Sequence, residues 1–101
     1  MPSKTQTSFF RRLLLAHLIS KGIATIPAIV KVTGMPRRTA QDTLSALEEL
    51  DIQITFVGAN KNGHYEVQDW GAINPDWIAK NIEMICHTLG YPTCSITGRD
   101  R

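Results

Sequence analysis

The chain has 101 residues, 43% of them hydrophobic, and a net charge of +2, which suits one core and leaves no room for a second domain. Its longest apolar stretches, Leu13 to Leu15 and Ile52 to Val57, fall far short of the roughly 20 residues that span a bilayer. The polar start Met1-Pro2-Ser3-Lys4 is not the apolar segment of a signal peptide, so a cytoplasmic protein without membrane association is expected. Residues 1–47 hold seven Lys and Arg against Asp42 alone, a balance of +6, whereas residues 48–101 hold four against eight acids, a balance of −4. A basic half of this kind suits attraction to phosphates.

Residues 1–6 are expected to be a flexible N-terminus, followed by a domain over 7–90. From about Thr7 to Lys21, Phe10, Leu14 and Leu18 form one stripe, and Phe9, Leu13, Leu15 and Ile19 widen it. This predicts a mostly buried first helix, with His17 packed within it and Gly22 as its stop. Thr25 is a plausible N-cap, and Pro27 fits the first turn of a second helix from about Ile26 to Thr33. Gly34 then stands where a helix end needs positive φ. Pro36 tolerates the start of a new helix but would break a continuous one. Beyond it Ala40, Leu44, Leu47 and Leu50 recur along one face, predicting a third helix from about Arg37 to Leu50. Two helices joined by about three residues including Gly form a helix-turn-helix.

From Ile52 the period changes. Ile52, Ile54 and Phe56 alternate with Gln53, Thr55 and Val57, and Tyr65 and Val67 alternate again after the turn-forming run Gly58 to Gly63. An antiparallel hairpin is predicted, forming a wing with its tip at about 58–64. Asn74-Pro75-Asp76 combines an N-cap, a first-turn proline and an acid, and Trp77, Ile78, Ile82, Ile85 and Leu89 make a stripe. A last helix is therefore expected from Asn74 to about Leu89, with Gly90 as its stop. The tail, 91–101, is polar and expected to be partly disordered.

The run TGMPRRTAQDTLSALEEL, residues 33–50, together with the order of elements, resembles the winged helix-turn-helix superfamily of bacterial DNA-binding proteins. Small stand-alone regulators, distantly MarR-like, carry versions of it. The resemblance implies a mainly α fold with a β-hairpin wing, order α-α-α-β-β-α, and sequence-specific binding of double-stranded DNA, with a role in transcription regulation. Two departures stand out: Pro36 replaces the Ser often found at the start of the recognition helix, and Asp42 places an acid on the expected DNA side.

With Ala40, Leu44 and Leu47 inward, the outward arc of the third helix holds Arg38, Gln41, Asp42 and Ser45, and Arg37 flanks its start. Arg can donate two bonds to guanine, and Gln can read adenine, in the major groove. Arg37 can equally hold a phosphate, which fixes position without reading sequence. Asp42 can pair with Arg38 one turn away. Thr39 projects nearer the helix-helix boundary, as a phosphate contact or a local cap. Lys61 at the wing tip suits flanking backbone or minor groove, and His64, Lys21, Lys31, Thr25 and Thr33 are further candidates for phosphate. Glu48 and Glu49 lie at the far end, so the N-terminal half of the helix is expected to enter the groove.

No HExxH, GxSxG or P-loop occurs, and no enzyme is expected. Cys86 and Cys94 form no C-x-x-C and, with His87, lack a fourth ligand at metal-site spacing, so neither a disulfide, a metal nor a cofactor is expected. Trp70 and Trp77 read as core or interface aromatics. The first and last helices carry more apolar residues than a small core needs, which favours a homodimer formed through them. The alternative is a winged helix used as a protein-interaction module without DNA binding.

Overall fold

The computed structural model describes residues 3–59 and 62–92. Five helices surround a two-stranded sheet: α1 (Lys4–Ser20), α2 (Ile26–Thr33), α3 (Arg37–Ala46), a 3₁₀ turn (Leu47–Leu50), β1 (Gln53–Val57), β2 (His64–Asp69), α4 (Pro75–Lys80) and α5 (Ile82–Leu89). This is the expected mainly α arrangement with an antiparallel hairpin after the third helix.

The core is built around α1. Seven consecutive residues, Leu13 to Ile19, are buried, which requires apolar neighbours on every side of the helix, and α3, α4, α5 and β2 supply them. His17 is among the buried residues. Desolvation, and then the nearby Lys21 charge, hold its imidazole below the ordinary value of 6.5. From the other elements Ile29, Met35, Ala40, Leu47, Ile52, Ile78, Ile85 and Cys86 complete the core.

Three boundaries differ from the expected ones. First, α1 begins at Lys4, inside the stretch expected to be flexible, because the Ser3 hydroxyl accepts the Gln6 N–H at 3.0 Å and caps the helix. Second, the third helix tightens into the 3₁₀ turn after Ala46. Asp51 follows in the left-handed region at φ 59° and turns the chain into β1. Third, the expected single last helix is two, broken at Asn81, whose side-chain amide donates to the Trp77 carbonyl at 2.8 Å. A short polar side chain that competes for helix carbonyls in this way favours an interruption. Residues 93–101, and with them the expected disorder of most of the tail and any role for Cys94, lie outside the described residues.

In the hairpin, Ile54 pairs with Val67, Phe56 with Tyr65 and Val57 with His64, with an irregularity between Gln53 and Ile54. Ile54, Tyr65 and Val67 pack on the core. The Tyr65 N–H donates to the Ala24 carbonyl at 2.9 Å, so the link between α1 and α2 meets the free edge of β2 and ties the wing to the helices.

Candidate nucleic-acid interface

The turn before α3 sets the position of the candidate surface. Thr33, only 4% exposed, donates its hydroxyl to the Ile29 carbonyl at 2.7 Å and accepts the Met35 N–H at 3.2 Å. Gly34 sits at φ 78°, and Met35 is buried. These residues end α2 and start α3 within three positions. Thr33 is therefore not the phosphate donor considered from sequence: burial and two internal hydrogen bonds occupy its hydroxyl. Thr25 is the expected N-cap, accepting the Ala28 N–H at 3.2 Å.

Pro36 occupies the N-cap of α3 with no side-chain hydrogen bond to the first turn. The opening N–H groups of the helix thus have no capping side chain, and Arg37 and Arg38 stand exposed beside them. A helix N-terminus carries partial positive charge, so the arginines and the backbone act with the same sign. Ala40, Leu44 and Leu47 face inward as expected, and Thr43 joins them. Gln41, Asp42 and Ser45 are exposed and Thr39 is half-buried. Arg38 Nε lies 3.7 Å from Asp42 Oδ2, the i, i+4 pair expected from sequence, with both side chains largely in solvent.

Further along, the character changes. Ser45 and Leu44 border a cleft of about 570 Å³ between α3 and the hairpin, whose lining includes Glu48, Asp51, Thr55, Tyr65 and Gln68. Two carboxylates on this cleft set it apart from the cationic start of the helix. Glu49 turns the other way and pairs with Arg12 of α1 at 3.2 Å. The charges along α3 and the 3₁₀ turn that follows it are thus graded, with cations at the first turn of α3 and acids in the 3₁₀ turn. Lys21 and Lys31, at the ends of α1 and α2, are exposed. Lys61, the candidate at the wing tip, lies outside the described residues.

At the wing, Phe56 and Val57 are 45% and 39% exposed. Phe56 shares the alternation of Ile52 and Ile54, but the core ends before it. The signal was present: it is the inner-face residue of β1 nearest the tip. His64 Nε2 lies 3.0 Å from Glu66 Oε2 on the outer face.

Among the described residues no cluster of three or more His, Cys, Asp or Glu could hold a metal, and no helix is long and apolar enough to cross a membrane. Cys86 is buried, and its thiol is pushed up to about 11 by desolvation and by the Glu83 charge, so it is not a thiolate at neutral pH.

A family model described as winged helix-turn-helix matches residues 4–89. The chain is also similar to the crystal structure of a DUF2131 family protein from Shewanella amazonensis, with 30% identity over 98% of this chain and 97% of that one and a TM-score of 0.85. No curated protein matches it. With the match covering every described helix and the hairpin, the chain belongs to the winged helix-turn-helix family.

Proposed function

We propose that the protein binds double-stranded DNA sequence-specifically, as a cytoplasmic, non-catalytic regulator of transcription, with α3 entering the major groove by its N-terminal half. The observation that carries this reading is the first turn of α3. Arg37 and Arg38 stand exposed at a helix start that no side chain caps, whereas Glu48 and Asp51 collect at the other end. Only one end of the helix is electrostatically suited to a polyanion.

In this reading Arg38 and Gln41 read base edges, Arg37 and the half-buried Thr39 hold the flanking phosphates, and Ser45 marks the far limit of contact. Asp42 restrains Arg38 through their ion pair and disfavours ill-fitting approach. Lys61 serves the wing, on the flanking backbone or in the minor groove.

The binding unit is proposed to be a homodimer formed through α1 and the α4–α5 segment. Trp77 and Met84 are 44% and 42% exposed. Trp77 lies on α4 and Met84 on α5, and each directly precedes a buried isoleucine, Ile78 and Ile85. Trp77 also borders a shallow apolar hollow of about 220 Å³ lined by Phe9, Leu13, Ala72, Ile73 and Asn74. An exposed ring and an apolar hollow on one face suit a self-complementary two-fold interface. The same apolar face would serve the alternative, a protein-interaction module without DNA binding; the charge gradient on α3 favours DNA.

Selection of bound fragments from a random duplex pool, with Arg38→Ala as the control, tests the reading. A defined motif, expected as a short inverted repeat for a dimer, supports it, and the control should lose information at one position of each half-site. A flat, unselective outcome would favour the interaction module.

A further inference from the structure

The outer side of β1 is an open strand edge. In a two-stranded sheet each strand has one side without a strand partner. On β2 that side meets Ala24 through the Tyr65 N–H, but among the described residues no backbone hydrogen bond joins Gln53–Val57 to any element except β2. Such an edge holds a row of unpaired N–H and C=O groups, which proteins commonly guard with a charge, a proline or a covering segment. The chain has neither a charged residue nor a proline between Asp51 and Lys61. The irregularity in the pairing lies at the start of β1, between Gln53 and Ile54, and leaves the rest of the edge regular.

This edge borders the cleft of about 570 Å³ beside α3. Successive side chains of a strand leave opposite faces, yet Gln53, Ile54 and Thr55 all line the cleft, so it follows the edge of β1 rather than one face. Leu44 and Ser45 of α3 form the opposing wall, and the half-buried Ile54 and Tyr65 add apolar surface. Glu48 and Asp51 lie at the end where β1 begins. Their carboxylates have no cation partner among the described residues, whereas Asp42, Glu49 and Glu66 are each paired. Two free anions repel phosphate and attract an ammonium or guanidinium group, so the cleft is complementary to a cationic occupant.

We propose that this cleft takes an extended segment of a partner protein, which adds to β1 as a third strand and carries a Lys or Arg toward Glu48 and Asp51. Main-chain hydrogen bonds to the open edge supply the attachment, and alternate side chains supply the specificity. In an added strand every second side chain faces α3. The segment therefore presents a cation to the two carboxylates and, two residues away, an apolar side chain to Ile54 and Tyr65. This surface is separate from the first turn of α3 and does not rest on the DNA-binding reading, because a strand can add to β1 whether or not Arg37 and Arg38 meet a duplex. A single added strand is a small interface, of the kind that exchanges readily.

The test titrates the full, isotope-labelled chain with the end-blocked peptide TVTKTVT, which reads the same in both directions and so serves parallel and antiparallel addition. Binding is followed by amide chemical shifts and by hydrogen exchange. The proposal predicts shifts at Ser45, Glu48 and along 51–55, with slower exchange of β1 amides. The peptide TVTETVT should bind about tenfold more weakly, the scale of exchanging an attractive charge pair for a repulsive one. Glu48→Gln/Asp51→Asn, checked for folding by circular dichroism, should abolish that difference. Two further forms of the lysine peptide, N-methylated at one or the other set of alternate residues, are tested on the unsubstituted protein. Only the form methylated on the residues facing the edge should lose binding, and this result does not depend on a variant that folds. Equal binding of the lysine and glutamate peptides, retention of binding by both N-methylated forms, or shifts confined to the Trp77 and Met84 face overturns the proposal. So does a peptide without effect while a DNA duplex shifts the cleft amides, which assigns the cleft to nucleic acid. Concentration-dependent broadening of the β1 amides with no response to peptide assigns the edge to a second copy of the chain and equally overturns it.

Discussion

Arg38 and Asp42, one turn apart on the solvent side of α3, form an ion pair with Nε and Oδ2 separated by 3.7 Å. Such exposed pairs contribute only about 0.3–0.5 kcal/mol to a helix, so the meaning of the pair lies in what it does to the arginine. Asp42 offsets a positive charge on the surface proposed to meet DNA and draws the guanidinium along the helix.

Asp42→Asn should therefore change binding far more than folding. A midpoint of urea unfolding within about 0.5 kcal/mol of the unsubstituted protein is expected. Affinity for non-specific duplex at low salt should rise by about threefold to tenfold as an anion leaves the interface. Anisotropy titrations on two unrelated duplexes measure this, and a fall in affinity would show that Asp42 itself holds a base.

Thr33 ties the end of α2 to the turn through opposite hydrogen bonds, to the Ile29 carbonyl and from the Met35 N–H. Thr33→Val keeps the shape and removes both. The buried Met35 amide is left without a partner, at a cost of about 1–3 kcal/mol. Equilibrium urea denaturation should show this loss. DNA binding should weaken as well, because α3 is oriented through this turn.

Two glycines should fail for different reasons. Gly34 has open space around its Cβ position but a φ of +78°, so Gly34→Ala should cost about 1 kcal/mol of backbone strain with little local rearrangement. At Gly63 the Cβ of alanine would meet Phe56 and, at 2.5 Å, the Ala59 carbonyl. Gly63→Ala should therefore move the Phe56 ring and alter the wing, seen as chemical-shift changes in Phe56 and Tyr65 that Gly34→Ala does not produce.

His17 supplies a pH dependence. Its folded-state value is depressed below 6.5 by burial and Lys21, so on acidification the unfolded chain takes up the proton first. Stability contributed by the neutral, buried ring is present above 6.5 and is lost as pH falls through the depressed folded-state value. His17→Leu should flatten the stability profile on the acid side of 6.5, as followed by thermal unfolding across a pH series. An unchanged slope would mean that other groups govern acid sensitivity.

Much of this architecture is legible in the sequence because it rests on short-range chemistry. Thr25, Pro27 and Gly34 bound α2 through caps and dihedral preferences, and the three-to-four-residue spacing of Ala40, Leu44 and Leu47 orients α3. The Arg38–Asp42 pair follows from i, i+4 geometry alone. The features that local sequence does not encode depend on tertiary context. Thr33 looks like any surface threonine until the packing of α2 on α3 buries it. Phe56 follows the same alternation as Ile54, and only the extent of the core decides that one is covered and the other is not. The break at Asn81 turns on a side chain competing for a carbonyl within an otherwise continuous apolar stripe. The residues proposed to meet DNA were identifiable as exposed cations, but the contrast between the start of α3 and the acidic cleft at its end emerges only when β1 folds back beside it.

The central claim is that the first turn of α3 meets the phosphate backbone and bases of a DNA duplex. It is tested most directly by the salt dependence of duplex binding, comparing the unsubstituted protein with Arg37→Glu/Arg38→Glu over a range of sodium chloride concentrations. The account predicts a linear fall of log affinity with log salt, with a slope shallower by about two in the folded double variant and binding weakened at every concentration. Equal affinities and equal slopes for the two proteins, or no salt-sensitive binding by either, would contradict it.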